Sequence, residues 1–255
     1  MRVAFVNVKG GVGKTTSAVS AASALQRSGL KVMLVDLDPQ ASATYSLGFR
    51  STEGSLTVAD VLLDGTPAQE VVVEAENGVH VLPGSMELAA ADLKLARQKT
   101  AAQRLDRALQ GSESVYDAVI IDCPPGLSLL TLMGLRASKA YVVPSSPQDL
   151  AIDALGRFFQ GLETLESEVG ETQLLGILIT MADWRVRHTD EMVKKLRKAY
   201  GKKVFSVEIP INVKLAEASG YGVSIFELES WSTGGAAYRK FSGEMLRRLR
   251  TLGLN

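Results

Sequence analysis

The chain has 255 residues, with 28 Lys and Arg against 28 Asp and Glu, and 46% of it is hydrophobic. That apolar share excludes a disordered chain, and no apolar run approaches the roughly 20 residues that cross a bilayer. One Cys and two well-separated His exclude an internal disulfide and a zinc cage, so a metal here would be held by oxygen. The neutral total hides a gradient: residues 1–180 carry 14 basic and 20 acidic side chains, whereas residues 181–255 carry 14 and 8. A basic C-terminal third points to an anionic partner. The N-terminus lacks the apolar segment and small-residue cleavage site of a secretory signal, and the expected location is cytoplasmic.

The first expected strand covers residues 2–8 and runs into Val8-Lys9-Gly10-Gly11-Val12-Gly13-Lys14-Thr15-Thr16, which opens an amphipathic helix over 15–28. A second strand, 31–36, ends in Asp36-Leu37-Asp38-Pro39-Gln40. Residues 54–78 are the least regular and are expected to hold peripheral helices. Then come a strand at 79–82, a helix at 100–109, and a strand at 117–122 that ends in Asp122-Cys123-Pro124-Pro125. Strands at 140–143, 174–180 and 204–209 alternate with helices at 149–168 and 189–200, and a last helix spans about 234–252. Thr189 is the expected cap of the 189–200 helix, with Lys194, Lys195, Arg197 and Lys198 outward and Met192, Val193, Leu196, Ala199 and Tyr200 inward. This βαβ alternation predicts one α/β domain over 1–255, with a mostly parallel twisted sheet and helices on both faces.

The glycine-rich turn between strand and helix carries the most chemistry. Its glycines allow backbone N–H groups to converge on phosphate oxygens, and the helix start adds a positive dipole end. In that geometry Lys14 reaches the β- and γ-phosphates, and Thr15 offers its hydroxyl to Mg²⁺. Asp36, Asp38 and Asp122 fall at strand C-termini beside the loop, where open parallel sheets bind ligands. Phosphoryl transfer requires a held Mg²⁺ and an aligned water, roles these carboxylates suit. The segments 40–44 and 124–128 follow those acids and are candidate switches for sensing a γ-phosphate.

Lys-Gly-Gly-Val-Gly-Lys-Thr-Thr, with Lys9 as a second lysine, resembles the deviant Walker A box of the ParA/MinD superfamily, and specifically the ParA/Soj-type partitioning ATPases. The resemblance covers nearly the whole chain and is strongest over residues 3–48 and 117–135. It implies a three-layer P-loop NTPase fold that uses ATP and Mg²⁺, with nucleotide held by Lys9, Gly10, Gly11, Val12, Gly13, Lys14, Thr15 and Thr16. It also implies that Lys9 crosses to the nucleotide of a partner subunit, that Asp122 supports the metal with Thr15, and that Asp38 orients the attacking water with Asp36 in support. Pro210 and Asn212 carry over as residues bordering adenine, and Arg185 and Lys214 as DNA contacts; Ile211 stands where relatives commonly have arginine. The implied partners are a second copy of the chain, nonspecific duplex DNA and a ParB-like centromere-binding protein, with no DNA-reading domain before the loop. The alternative is a MinD-like ATPase for division-site placement, which would bind a membrane through a basic amphipathic C-terminus containing Arg247, Arg248 and Arg250. Metabolic nucleotide-using enzymes on the same fold form a weaker rival.

Overall fold

A computed structural model of the chain describes residues 1–52, 54–98, 100–148 and 151–254. Their strands are β1 (Arg2–Phe5), β2 (Val32–Asp36), β3 (Val73–Glu74), β4 (His80–Leu82), β5 (Ala118–Asp122), β6 (Ala140–Ser145), β7 (Gln173–Ala182) and β8 (Val204–Pro210). They form one sheet in the order β3-β4-β2-β5-β1-β6-β7-β8, parallel throughout except for the antiparallel β3–β4 pair at one edge. All seven expected strands are present. β3 is the addition, a two-residue edge strand too short to leave a sequence pattern.

The central strands are buried on both faces because period-two alternation sends apolar side chains both ways. Val3 and Phe5 join one core, while Ala4 and Val6 join the other. The helices are α1 (Lys14–Arg27), α2 (Ser42–Ser46), α3 (Val58–Leu63), α4 (Ala68–Val71), α5 (Glu87–Leu95), α6 (Arg104–Ala108), α7 (Leu129–Ala137), α8 (Ala151–Thr164), α9 (Glu166–Val169), α10 (Arg187–Tyr200), α11 (Val213–Tyr221), α12 (Ile225–Glu229) and α13 (Thr233–Thr251). Apolar residues of α1, α12 and α13 fill the core on one side, and those of α3, α5 to α8 and α10 fill the other.

α13 shows why this packing matters for the site. Tyr238, Phe241, Met245 and Leu249 recur at helical spacing and are all at most 1% exposed. Burying each such side chain contributes roughly 1.5–3 kcal/mol. The Tyr238 hydroxyl lies 3.0 Å from Ser17 Oγ, so the long C-terminal helix braces α1 one turn beyond the phosphate loop.

Two expectations change at α10. α10 begins at Arg187 with Val186 as its cap residue, and Thr189 is a buried residue of its first turn rather than its cap. Ala199 is exposed, since the inward stripe of α10 runs through Met192, Val193 and Leu196. The expected helix over 149–168 starts on Asp149 and Leu150, which lie outside the described residues; from Ala151 it runs as α8 and then α9.

Candidate active site

β1 ends in the middle of the sheet, and the Gly10–Gly13 turn carries the chain from it into α1. Gly11 and Gly13 have φ of 70° and 75°, a left-handed backbone that side chains other than glycine adopt at a cost. The turn is held from outside. Thr180 at the end of β7 donates its hydroxyl to the Val12 carbonyl at 2.8 Å, the Lys9 amide donates to Asn7 Oδ1 at 3.0 Å, and Asn7 Nδ2 donates to the Pro144 carbonyl at 2.7 Å. A methyl group placed on Gly10 or Gly11 would meet nothing within 4 Å, so the space above the turn is open. The N-terminus of α1 has no side-chain cap and no acid in its first turn. Its positive dipole end therefore faces that space with no side chain of the described residues capping it, as an anion site requires.

Lys14 is 6% exposed and its Nζ donates to the Lys9 carbonyl at 3.2 Å. Burial lowers its pKa, and the charges of Asp122 and Asp38 act in the opposite direction. Lys9 is exposed, and its Nζ donates to Gln148 Oε1 at 2.5 Å. Thr15 and Thr16 are half-buried in the first turn of α1.

The three carboxylates meet at this turn. Asp36 and Asp122 are register partners at the ends of neighbouring parallel strands, and both are fully buried. Asp36 is well provided with donors: Oδ1 accepts from the Asp38 amide at 3.1 Å, and Oδ2 accepts from the Thr44 amide and hydroxyl, each at 2.8 Å. Burial pushes its pKa up to about 6 even against those hydrogen bonds. Among the described residues, neither Asp122 oxygen has a hydrogen-bond partner. Burial and then the Asp36 charge raise its pKa well above the usual carboxylate range, with the nearby Thr15 hydroxyl and Lys14 opposing. An orphaned buried carboxylate is costly, and a cation beside it removes the cost. Asp38 is half-buried, and its Oδ1 accepts from the Gln40 amide at 2.9 Å.

The remaining expected residues lie along the β7–β8 rim. Pro210 ends β8 opposite Ala182, and Asn212 caps α11, accepting from the Lys214 amide at 2.8 Å and donating to Thr233 Oγ1 at 2.7 Å. Arg185 is exposed and bound through Nε and Nη2 to Asp183 at 2.8 and 2.7 Å. Lys214 pairs with Glu217 at 2.8 Å and lies 3.8 Å from Glu229. The structure thus gathers Lys9, Lys14, Thr15, Asp36, Asp38 and Asp122 around one turn, and leaves Arg185 and Lys214 on a separate surface already matched with acids. Thr44 and Thr180 were expected only as the last residues of the 40–44 segment and the 174–180 strand; the contacts they make, and Gly84, were not anticipated from sequence. Gly84 N donates to Thr44 Oγ1 at 2.9 Å, and single Thr or Gly residues remote from the loop give no spacing signal.

A family model described as an AAA domain matches residues 1–174. The chromosome-partitioning ATPase Soj of Thermus thermophilus is 40% identical over 98% of this chain and 96% of its own length. The chromosome partitioning protein ParA of Caulobacter vibrioides is 32% identical over 97% and 94%. The chain belongs to the ParA/Soj family of partitioning ATPases. Among solved structures, cobyrinic acid a,c-diamide synthase of Mycobacterium smegmatis with a bound ATP analog and magnesium superposes with a TM-score of 0.85 at 33% identity, covering 98% of this chain and 96% of that one. The cell division ATPase MinD of Pyrococcus furiosus, at 22% identity and a TM-score of 0.79, covers 96% of this chain and 98% of its own, and shares the fold. The P-loop NTPase architecture and the ParA/Soj membership expected from the loop are borne out.

Proposed function

We propose that this ParA/Soj chain acts over its whole length as a single ATPase unit that binds ATP with Mg²⁺, pairs with a second copy while ATP is bound, holds duplex DNA, and drives DNA segregation. In this reading it is nucleoid-associated in the ATP state, and a ParB-like protein accelerates hydrolysis and resets it. The observation that carries the nucleotide part is the orphaned, fully buried Asp122 carboxylate set beside Lys14 at the foot of an open, uncapped helix start. The backbone amides of residues 10–16 bind the phosphate chain, Lys14 neutralises the β- and γ-phosphates, and the Thr15 hydroxyl would hold the metal with Asp122 supporting it. The metal, when bound, withdraws charge from the phosphate oxygens and so stabilises the transition state. Asp38 orients the attacking water, and Asp36 holds the backbone on which Asp38 sits. Pro210 and Asn212 border the base.

Lys9 supports the dimer. Its ammonium is exposed beside the loop, and bringing two triphosphates face to face needs additional positive charge between them. Arg185 and Lys214, on the β7–β8 rim, would meet DNA phosphates, giving sequence-independent and salt-sensitive binding.

The MinD-like alternative requires α13 to offer an apolar face to lipid. That face is spent within the protein, and Arg248 is engaged by the Leu175 and Val204 carbonyls, Glu244 and the Phe205 ring. No helix of the described residues is long and apolar enough to cross a membrane. The deciding experiment is size-exclusion of Asp38→Ala with ATP-Mg²⁺ or ADP, with and without nonspecific duplex, alongside flotation with anionic liposomes. An ATP-specific dimer that co-elutes with DNA is expected. A monomer in every nucleotide state, or ATP-dependent lipid binding without DNA binding, overturns the proposal.

A further inference from the structure

The segment that carries Asp38 is gripped at both ends by one side chain. Asp36 Oδ1 accepts from the Asp38 amide at 3.1 Å, and Oδ2 accepts from the amide and the hydroxyl of Thr44, both at 2.8 Å. Between the grips the chain turns tightly, with the Ala41 amide donating to the Asp38 carbonyl at 2.8 Å and Ala41 itself in the left-handed region at φ 52°, ψ 33°. A non-glycine residue in that conformation persists where its surroundings impose it.

The grip has a third component. Thr44 Oγ1, while donating to Asp36, accepts from the Gly84 amide at 2.9 Å, and the Gly84 carbonyl accepts from Ser51 Oγ at 3.3 Å. A Cβ on Gly84 would fall 2.9 Å from both Asp36 Cγ and the Asp36 carbonyl oxygen, so the approach depends on glycine. Asp36 and Thr44 are both fully buried, and water does not compete for these bonds. The end of β2, α2 shortly after it and the turn after β4, 40 residues beyond Thr44, thus converge on one hydroxyl.

We infer that Thr44 and Gly84 are positioning residues for Asp38, locking Asp36 so that the 38–44 turn holds the Asp38 carboxylate toward the phosphate loop. The inference rests on the reading of Asp38 as the residue that orients water. Thr44→Val keeps the shape but removes the hydroxyl, leaving the Gly84 amide without its partner and Asp36 with one donor fewer. Thr44→Ser keeps the hydroxyl.

The test has two readouts on the full chain: amide hydrogen exchange over residues 38–44 without nucleotide, and single-turnover ATP hydrolysis beside equilibrium ATP binding. Thr44→Val is expected to speed exchange in that segment roughly tenfold and slow hydrolysis by about 10- to 100-fold, with affinity for ATP within about threefold of the parent. Thr44→Ser should stay near the parent in both. Thr44→Val added to Asp38→Ala should slow the residual rate no further. Gly84→Ala should match Thr44→Val where it folds; Thr44→Val decides the matter where it does not. If Asp38→Ala is inactive while Thr44→Val hydrolyses at the parent rate, the positioning role falls and the reading of Asp38 stands. If Asp38→Ala hydrolyses normally, the reading of Asp38 falls and takes this one with it. A loss of ATP affinity as large as the loss of rate, or a further drop in the double variant, makes Thr44 a structural residue only and overturns the inference.

Discussion

The chain presents two groups of charges, and they are built in opposite ways. Around the phosphate loop, Lys14, Asp36 and Asp122 are buried, and neither Asp122 oxygen has a hydrogen-bond partner among the described residues. Along the β7–β8 rim, Arg185 and Lys214 are paired with Asp183 and Glu217. A buried orphan charge costs several kcal/mol, whereas an exposed pair changes stability by about 0–1 kcal/mol. The first group holds buried charge that a cation would offset. The second is complete by itself, and any anion it meets must compete with the protein's own acids. A large, ligand-dependent response is therefore expected at the loop and a small, salt-dependent one at the rim.

The largest effect is expected for Lys14→Ala. It removes the buried ammonium at the turn while leaving Asp38 and Asp122 facing the phosphates, so ATP affinity should fall by more than about 100-fold. Titration calorimetry measures this directly, and parent-like affinity would break the contrast at once. Lys9→Ala comes next. Its ammonium is exposed and bonded to Gln148, so ATP binding should persist within about tenfold while the ATP-dependent dimer is lost. An unchanged elution volume would show that Lys9 acts within its own subunit.

The same contrast explains how much of the molecule was legible in its sequence. The core strands could be read because burial on both faces demands β-branched runs, and β1, β2 and β5 deliver Lys14, Asp36, Asp38 and Asp122 to one place by topology alone. The supports were not legible. Gly84 reaches Thr44 across 40 residues of sequence and Thr180 reaches Val12 across 168, and such contacts leave no periodic trace. The capping of α10 was misread because Thr189 suits a cap by type, yet the helix opens two residues earlier and buries it. Nor could the sequence reveal that Arg185 would turn back on an acid two residues away, since that depends on the loop after β7.

A third effect, intermediate in size, concerns stability without ligand. Asp36 and Asp122 both hold their protons more tightly in the folded chain than in the unfolded one. Their contribution is therefore most favourable at low pH and is lost as pH rises, for Asp36 between its unfolded value of 3.8 and about 6. Asp122→Asn removes the buried charge at nearly constant volume and should raise the thermal midpoint at neutral pH without nucleotide, with a gain in stability on the order of 1–3 kcal/mol. It should also flatten the decline in stability as pH rises above the unfolded carboxylate range. A lower midpoint would mean that Asp122 already has a compensating partner.

The smallest effect is expected at the rim, and its sign is informative. If Arg185 contacts DNA phosphate, Asp183 opposes that contact, because its carboxylate occupies two guanidinium donors and repels the phosphate. Arg185→Glu should weaken DNA retention several-fold to tenfold with unchanged ATP affinity, whereas Asp183→Asn should strengthen it by a few-fold. Removing one phosphate contact lowers the slope of log affinity against log salt by about 0.9. Fluorescence anisotropy with a nonspecific duplex, at several salt concentrations and with ATP-Mg²⁺ present, measures both quantities. If Asp183→Asn weakens binding, the pair serves to shape the loop after β7 and the DNA contact lies elsewhere on the basic C-terminal third. If the two substitutions act in opposite directions, the self-paired arginine is a contact held in check by its own neighbour.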